Sequence, residues 1–209
     1  MLYLYIAITV IVSYLLGCFN GAIIISKYFY HKDIRNYGSG NAGLTNFYRT
    51  FGGFPTLLVL AIDFLKGLIS ALLGKFLLGA VDLAGIGSTI GMLAVVTGHV
   101  FPVFYRFKGG KGILCGCGAL LGIHWLVMVI LLGIFIVITV LTRYVSLGSI
   151  VACLGIPVTI WFICGHNIVM TVLGLLSAAF MIFMHRANIS RLIHRKEPKF
   201  SFKSSEGKQ

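Results

Sequence analysis

Long apolar segments, separated by short polar ones, occupy most of the chain up to residue 184. The apolar segments lie near residues 3–26, 54–79, 84–104, 113–142, 146–163 and 166–184. A helix needs about 20 apolar residues to cross a bilayer core that is about 30 Å thick, so these segments predict membrane-spanning helices. The segment 113–142 is too long for one crossing, because a continuous helix would run about 45 Å at about 1.5 Å per residue.

That long segment contains a cluster of residues that weaken a helix. Three glycines between residues 116 and 122 precede His124, and glycine is a poor helix former. The pattern therefore predicts a break, with a short helix near 110–122 and a second helix near 124–142. The predicted fold class is an all-α integral membrane protein with about seven transmembrane helices.

The distribution of Lys and Arg predicts which way the chain faces. With seven crossings, the connecting segments near 27–53, 105–111 and 142–146 lie on the same side of the membrane as the carboxyl-terminal segment. These segments hold all of the 17 Lys and Arg residues except Lys66 and Lys75. Because cytoplasmic loops are enriched in Lys and Arg, we expect this side to be cytoplasmic and the amino terminus to lie outside.

Composition excludes a soluble globular protein. The 209 residues are 58% apolar and 11% charged, with a mean hydropathy of +0.99, values far from those of soluble domains. The net charge of +12 suits anionic lipids or anionic substrates, although the topological bias alone explains it equally well. We expect membrane lipids and no nucleic acid as partners, one polytopic membrane domain over residues 1–195, and a short, basic cytoplasmic tail over 196–209.

The first of three polar segments reads GSGNAGLTNFYRTFGG, from residue 38 to 53. Its glycines permit backbone angles at which successive N–H groups converge on an anion. Hydroxyl and amide side chains add neutral donors, and a guanidinium suits phosphate. We predict a phosphate site that includes Ser39, Gly40, Asn41, Gly43, Thr45, Asn46 and Arg49. A flexible connecting loop is the alternative for this segment taken alone.

The second polar segment reads GHVFPVFYRFKGGKG, from residue 98 to 112, and its glycines frame two cations. Gly109 and Gly110 let the backbone approach a ligand closely, while Lys108 and Lys111 supply positive charge. This pattern predicts a second anion site. The alternative is a cationic anchor at the end of a span, for which one or two cations would suffice without the glycines.

The third polar segment reads HRANISRLIHRKEPK, from residue 185 to 199, where the last span leaves the membrane. At helical spacing His185 and Asn188 share a face, with Arg186 beside them and Arg191 just off it. These side chains suit hydrogen bonding to a polar substrate, although a lone His at a membrane boundary is more often an interfacial residue.

A pair of charged residues lies inside the second span. Asp63 and Lys66 are three residues apart, close enough on a helix to neutralise each other. Ionisable groups within a membrane indicate function, and a structural ion pair is the equal alternative. We expect His99 to line the same cavity.

The three polar segments, in this order and spacing, resemble the motifs of the bacterial acyl-phosphate:glycerol-3-phosphate acyltransferases, the PlsY family. The stretches DFLKG at 63–67 and TRYVSLGS at 142–149 are similar as well, so the resemblance covers essentially the whole chain. It implies a seven-helix enzyme of the bacterial cytoplasmic membrane with its active site facing the cytoplasm. Such an enzyme transfers a fatty acyl group from acyl phosphate to the 1-hydroxyl of glycerol 3-phosphate and yields lysophosphatidate and phosphate, the first step of phospholipid biosynthesis.

The residues and the resemblance together assign a site, in which Ser146 and Glu197 are implied by the resemblance alone. Lys111, His185 and Asn188 are the expected catalytic residues. Besides the first-motif residues, substrate binding is expected of Lys108, Gly109, Gly110, Ser146, Arg186, Arg191 and Glu197. The resemblance implies no metal or other cofactor, and it makes the enzyme that produces acyl phosphate a candidate functional partner.

Several positions depart from the family pattern. Ala42 lies where the family usually has Pro, and Leu44 where it has Ala, changes that a glycine-rich turn can absorb. Leu114 and Cys115 replace the usual Ala-Thr after the second motif. Arg195 lies where the third motif commonly has Gly, so Arg would be strained there if the position requires a positive φ.

Charge connects these residues to a reaction. Two phosphorylated substrates, each of charge about −2, can meet near a bilayer only if cations neutralise them. Acyl phosphate carries a good leaving group, so we expect direct attack by the glycerol hydroxyl, oriented by His185 and Asn188. Two other classes fit a basic membrane protein: a transporter for phosphate or a phosphorylated metabolite, and a scaffold that binds anionic lipid. A transporter would favour inverted repeats, which the sequence does not show.

Overall fold

The computed structural model describes residues 1–200, and this part of the chain is built from helices. Its α-helices are α1 (Leu2–Cys18), α2 (Gly21–Tyr30), α3 (Leu44–Phe51), α4 (Pro55–Gly79), α5 (Ala84–Val100), α6 (Ile113–Ile123), α7 (Trp125–Thr142), α8 (Val145–Ile163), α9 (Ile168–Met184) and α10 (Arg186–Ile193). The predicted all-α fold class is confirmed. The predicted tail covers residues 196–209, and its part from residue 201 onward lies outside the described residues.

The described helices include several that are long and apolar enough to cross a membrane. Within residues 1–200 there are five such stretches, the first of which takes in α1 and α2 together. The pair α9 and α10, bent by 59° at its junction, would make a sixth, and α6 is a shorter apolar helix. The count of seven crossings and the outward amino terminus therefore stay predictions.

The predicted break in the long apolar segment is confirmed. Helix α6 ends at Ile123 and α7 begins at Trp125, with His124 in an extended conformation at φ −159° and ψ 126°. The Nδ1 atom of His124 accepts a hydrogen bond from the backbone N–H of Leu126 at 3.2 Å. His124 therefore ends one helix and caps the next.

The first span contains a second break that the apolar pattern does not reveal. Helix α1 ends at Cys18, and Asn20 caps α2 by accepting a hydrogen bond from the N–H of Ile23 at 3.0 Å. The side-chain amide of Asn20 donates to the carbonyl oxygen of Ala42, also at 3.0 Å. The break therefore attaches the membrane helices to the loop that carries the first motif.

Small residues let the central helices approach one another closely. A side chain at Gly67 of α4 would overlap the carbonyl oxygen of Cys115, and one at Gly118 of α6 would overlap that of Phe64. Such contacts are typical of membrane helices, which associate largely through close packing. Helix α4 packs against both α5 and α6, while α7, α8 and α9 pack in sequence beside them. The functional cavity lies between these two groups.

Candidate active site

One cavity of about 1040 Å³ brings the three motifs together. Its polar end is formed by the loop before α3, the loop before α6, and α10 with the segment that follows it. Its other wall is apolar and comes from α6, α7, α8 and α9, with Leu120, Leu131, Phe135, Ile156 and Met181 among its residues. The arrangement can hold a polar group and an aliphatic group side by side.

The predicted site residues gather at this cavity, with two exceptions. Those that line it are Ser39, Gly40, Asn41, Gly43, Thr45, Asn46, Arg49, Gly109, Lys111, Ser146, His185, Arg186, Asn188, Arg191 and Glu197. The side chain of Lys108 is exposed and does not line the cavity, and Gly110 is buried against His99 and Ala42, next to the lining residues. Binding roles for Lys108 and Gly110 stay predictions without support from their position.

The first motif forms a tight loop that Asn46 organises. The Oδ1 atom of Asn46 accepts from the N–H of Ser39 at 2.9 Å, and its amide donates to the carbonyl oxygens of Tyr37 and Asn41, each at 3.0 Å. Gly40 adopts a φ of 71°, a conformation that favours glycine. The amide of Asn46 is thus engaged by the loop itself, which leaves Ser39 and Asn41 to face a ligand.

Arg49 connects the first motif to the end of the third. It lies on α3 and lines the cavity, and its Nη2 atom donates to the carbonyl oxygen of Pro198 at 3.2 Å. Tyr48, its neighbour on α3, stacks on Phe200 with ring centroids 6.0 Å apart. The segment after α10 therefore folds back over the first motif and closes one side of the polar end.

The second and third motifs are joined by a hydrogen-bond network centred on Glu197. Lys111 donates to the Oδ1 of Asn188 at 2.5 Å, and the amide of Asn188 donates to Glu197 at 2.7 Å. Ser146 on α8 and Arg191 on α10 each donate to the same carboxylate at 2.7 Å. The network fixes Lys111 and Asn188 relative to each other before any substrate binds.

Burial and neighbouring charges shift two ionisable groups of this network. Burial lowers the pKa of Lys111 to about 8; Glu197 opposes this shift, whereas Arg191 and Arg49 add to it. Burial alone would raise the pKa of Glu197, but the hydrogen bonds from Ser146, Asn188 and Arg191 outweigh it and lower that pKa. Glu197 is therefore ionised at neutral pH, and Lys111 sits near the point where it gains or loses its charge.

His185 lies at the bend between α9 and α10 and has a defined tautomer. Its Nδ1 atom is 2.8 Å from the carbonyl oxygen of Met181. A carbonyl oxygen can only accept, so Nδ1 carries the proton and Nε2 is the free acceptor of the neutral ring. At the cavity His185 can therefore accept a hydrogen bond from a hydroxyl group.

Arg35 is one of the cations of the predicted cytoplasmic segment 27–53, and it joins the residues that precede the first motif to the second motif. Its guanidinium is paired with both carboxylate oxygens of Asp33, at 2.9 and 2.7 Å, and donates to the carbonyl oxygen of Tyr105 at 2.8 Å. This pairing lowers the pKa of Asp33 to about 2, against the effect of its partial burial. In the sequence, the close spacing of Asp33 and Arg35 is the signal that could have indicated this ion pair.

The charged pair within the second span is a buried ion pair. The Nζ atom of Lys66 lies 2.7 Å from Asp63 and 2.9 Å from the Nδ1 of His99. Asp63 and His99 both line the cavity, as expected for His99. The pair is both structural and close to the site.

Arg195 has the backbone conformation that the family's glycine would suggest. Its φ is 56°, so the strain predicted for a non-glycine residue is present. Glu197 nevertheless reaches the site two residues later. Ala42 is buried and Leu44 begins α3, so the first-motif turn accommodates both changes. Among the described residues, no three His, Cys, Asp or Glu side chains come together in a way that would hold a metal ion.

Comparison with known sequences agrees with this architecture. A sequence model of the family described as glycerol-3-phosphate acyltransferase matches residues 7–195. A relative from a Thermoanaerobacter species bearing that name is 42% identical over 201 residues, which cover 96% of this chain and 98% of the relative. A relative of the same name from Finegoldia magna is 42% identical over 197 residues, covering 94% and 97% of the two chains.

Two solved structures share the fold. The crystal structure of PlsY, an integral membrane glycerol 3-phosphate acyltransferase, in its glycerol 3-phosphate form has a TM-score of 0.84 and 34% identity, over 94% of this chain and 96% of that one. The lysophosphatidic acid form of PlsY has a TM-score of 0.80 and 32% identity, over 94% and 95% of the two chains.

The fold and the site together define an integral membrane acyltransferase of the all-helical class. The family match and the identity of its relatives make the assignment specific: the chain belongs to the glycerol-3-phosphate acyltransferase family, and it resembles PlsY in structure. The resemblance read from the three motifs is confirmed. The transporter considered as an alternative is not favoured.

Proposed function

We propose that this enzyme takes its acyl group from an acyl phosphate and transfers it directly to the 1-hydroxyl of glycerol 3-phosphate. The observation that carries the proposal is the division of one cavity into a cationic end and an apolar wall. A long-chain acyl phosphate has the same division, with a dianionic head on an aliphatic chain. The products would be lysophosphatidate and inorganic phosphate.

The cationic end suits two phosphates at once. Arg49 approaches from the first motif, whereas Lys111 and Arg191 approach from the second and third. Only Glu197 opposes them among the described acidic residues that touch this network. Guanidinium and ammonium groups in a partly desolvated site bind phosphate strongly. We assign one phosphate to the first motif and the other to the cations of the second and third motifs.

The chemical step needs no covalent intermediate with the protein. The 1-hydroxyl oxygen attacks the acyl carbonyl carbon, the new ester bond forms, and the bond from that carbon to the phosphate oxygen breaks. The Nε2 of His185 accepts a hydrogen bond from the attacking hydroxyl, and Asn188 and Lys111 hold the substrate beside it. In the overall balance, the hydroxyl proton ends on the departing phosphate, so the enzyme returns to its starting protonation state.

The apolar wall supports a lipid-soluble donor that reaches the site from the bilayer. Its residues come from four helices of predicted membrane spans, so an aliphatic chain would remain in an apolar environment while its head lies among the cations. We also propose that the polar end faces the cytoplasm of a bacterium, where glycerol 3-phosphate is dissolved. The enzyme would then act immediately after the enzyme that produces acyl phosphate.

The donor is tested with purified protein in detergent and a panel of palmitoyl donors. Palmitoyl phosphate, palmitoyl-CoA and palmitoyl-acyl carrier protein are each supplied with and without glycerol 3-phosphate, and lysophosphatidate and phosphate are measured. We expect lysophosphatidate only from palmitoyl phosphate, with equimolar release of phosphate that requires the acceptor. Formation from either thioester at a comparable rate would contradict the proposed donor.

The site is tested in the same assay with two matched variants. Lys111→Ala should lose at least about 100-fold in kcat/KM, because it removes a buried cation next to a phosphate. Lys32→Ala removes an exposed cation of a nearby loop and should stay within about twofold of wild type. Accumulation of a stable acyl-enzyme from palmitoyl phosphate alone would contradict direct transfer.

The orientation is tested in sealed bacterial membrane vesicles. Inside-out vesicles expose the cytoplasmic face and right-side-out vesicles hide it. With glycerol 3-phosphate added only to the outer solution, inside-out vesicles should form lysophosphatidate without detergent, whereas right-side-out vesicles should need permeabilisation. The reverse result would place the site on the other face.

A further inference from the structure

His99 lies near the start of the second motif, in the last turn of α5, and its ring lies between the loop of the first motif and the glycines that end the second. Its Nδ1 atom is 2.9 Å from the Nζ of Lys66 and 3.6 Å from the nearer carboxylate oxygen of Asp63. The second distance is too long for a hydrogen bond, and an ammonium group can only donate. Nδ1 must therefore accept from Lys66, which leaves the proton of the neutral ring on Nε2.

The opposite edge of the ring, with Nε2, lies next to the backbone of both motifs. A methyl group placed at Gly110 would overlap the Nε2 atom and the carbonyl oxygen of Ala42, which locates Nε2 between these two loops. His99 lines the cavity, and within the described residues no hydrogen bond engages Nε2. The residue is only 3% exposed, so Nε2 lies in a largely desolvated position at the cavity wall.

We propose that His99 contacts substrate, and that its Nε2–H donates a hydrogen bond to a phosphoryl oxygen held between the first and second motifs. This inference rests on the proposed function, which supplies the phosphorylated substrates. A neutral N–H donor suits an anionic oxygen in a partly desolvated site. The phosphoryl oxygen belongs either to the acyl phosphate or to glycerol 3-phosphate, and the experiment below distinguishes the two.

The buried ion pair acts as the support that orients His99. The three N–H bonds of Lys66 are shared among four acceptors, which are the Nδ1 of His99, Asp63 and the carbonyl oxygens of Phe19 and Gly17 at 2.9 and 3.2 Å; the contact with Gly17 is the longest. Asp63 also accepts from the N–H of Gly21 at 3.1 Å. Because the pair is electrically balanced, it fixes the tautomer of His99 without adding net charge. Lys66 and Asp63 are thus positioning residues, anchored to the break between α1 and α2.

Two substitutions at position 99 separate contact with substrate from a purely structural role. Asn is short, and its side-chain oxygen can replace Nδ1 as the acceptor for Lys66, but it has no donor that reaches the cavity. Gln is longer, and its amide nitrogen can reach the position of Nε2. We expect His99→Asn to keep the unfolding temperature of wild type in detergent and to lose about 10- to 100-fold in kcat/KM. We expect His99→Gln to retain most of the activity.

Separate titrations of the two substrates identify the phosphate involved. The KM of His99→Asn should rise for the substrate whose phosphoryl oxygen is bound, while the KM for the other stays near the wild-type value. Activity of His99→Asn within about twofold of wild type would overturn the proposal. Equal losses of activity in both variants, with equal falls in unfolding temperature, would also overturn it, because they would assign His99 to the structural network alone.

A measurement on the wild-type protein covers the case in which neither variant folds. In protein labelled with 15N histidine, a ring with its proton on Nε2 gives a distinct N–H resonance. We expect the His99 resonance to shift when glycerol 3-phosphate or a non-hydrolysable palmitoyl phosphonate is added. No shift with either compound would overturn the proposal. A wild-type protein that binds but transfers no acyl group would instead count against the proposed function.

Discussion

At the scale of single residues, Lys111 is the group whose ionisation sets the charge of the polar end. Burial lowers its pKa to about 8, so the charged form is the main one at pH 7 and is lost as the pH rises through 8. The phosphates of both substrates have a second pKa of about 6, so they do not change charge as the pH rises through 8. A loss of activity above pH 8 would therefore report on the protein.

We predict that kcat/KM falls about tenfold between pH 7 and pH 9 and that Lys111→Arg abolishes this fall, because Arg stays protonated over the whole range. Arg would bind the substrate phosphate less well, so the variant should be slower at pH 7. Its kcat/KM should, however, stay constant as the pH rises. The measurement is initial rates of lysophosphatidate formation, corrected for donor hydrolysis. A fall of equal steepness in the Arg variant would show that another group titrates.

The two histidines at the cavity show how a partner decides what a side chain can do. Nδ1 of His185 faces a carbonyl oxygen, so its Nε2 accepts, whereas Nδ1 of His99 faces an ammonium group, so its Nε2 donates. The two rings have identical chemistry in the sequence. Their opposite roles follow from the carbonyl oxygen of Met181, one helical turn before His185, and from Lys66, which the packing of α4 on α5 brings to His99.

Arg195 carries a strain that one substitution should relieve. Its φ of 56° costs a non-glycine residue about 1–2 kcal/mol, whereas glycine costs less there despite its greater freedom in the unfolded chain. Its side chain is exposed. We predict that Arg195→Gly stabilises the protein by about 0.5–1 kcal/mol, seen as a higher unfolding temperature in detergent.

The matched control for this prediction is Lys196→Gly, the next residue along. Lys196 is also exposed and is not among the residues with a positive φ, so glycine there should only lower the unfolding temperature. If both glycine variants lowered it equally, the strain at position 195 would have to be negligible.

Single residues also show how far the sequence could predict the site. Lys111, Asn188 and Glu197 were predicted from motifs. A motif is recognised by residue types and their spacing, which do not depend on how the helices pack. The role of Asn46 in holding its own loop and that of Arg35 in joining two loops depend on contacts with carbonyl oxygens. Such contacts leave no pattern along the chain, since every residue carries a carbonyl group.

At the scale of helices, α4 packs closely on α6, and both helices contribute residues to the wall of the cavity. A side chain at Gly67 would overlap the carbonyl oxygen of Cys115, and this backbone cannot move aside without shifting α6. We predict that Gly67→Ala destabilises the protein by about 1–3 kcal/mol, measured as a lower unfolding temperature in detergent, with reduced activity.

Gly133 provides the control for that substitution. It also lies inside a helix, α7, but among the described residues no atom beyond the adjoining backbone of α7 lies within 4 Å of the position that a side chain would occupy. Gly133→Ala should therefore leave stability unchanged or raise it by up to about 1 kcal/mol, the difference in helix propensity. Equal destabilisation by both substitutions would show that close packing is not the cause.

The two breaks in the helices differ in how well they could be predicted. The break at His124 follows from length, because one helix over that segment would be too long for the bilayer. The break at Asn20 lies within a segment of suitable length for one crossing, so the apolar pattern contains no conflict that would reveal it. Asn20 stabilises it by accepting a hydrogen bond from the N–H of Ile23 and donating one to the carbonyl oxygen of Ala42, the second of which spans the first loop.

At the scale of the whole molecule, the apolar pattern serves two purposes that the sequence alone does not separate. Leu154 and Val158 of α8 are exposed on the outer surface of the protein, whereas Ala152 and Ile156 of the same helix line the cavity. Both sets are equally apolar in the sequence. The cavity arises because α8 presents one face to the surroundings and another to the space that it lines together with α6, α7 and α9, so the proposed acyl site becomes visible only when the helices are assembled.

This division predicts which residues control the length of the acyl chain. Ala152→Phe would fill part of the apolar wall, so the last methylene groups of a long chain would lose their place while the phosphate end stays intact. Each displaced methylene group costs about 0.8 kcal/mol, so two or more should lower kcat/KM for palmitoyl phosphate about tenfold or more. Octanoyl phosphate, whose chain is shorter, should be transferred at close to the wild-type rate.

Val158→Phe is the matched variant, since it adds a ring to the exposed face of the same helix and should leave the ratio of palmitoyl to octanoyl transfer unchanged. The measurement is that ratio in the wild type and in both variants, under conditions where each donor is below its KM. If Ala152→Phe lowered both rates equally, the wall would not hold the chain, and the acyl group would have to extend directly into the bilayer. A selective loss of palmitoyl transfer would instead show that this cavity, which joins a cationic end to an apolar wall, sets the length of acyl chain that the enzyme accepts as well as binding the chain.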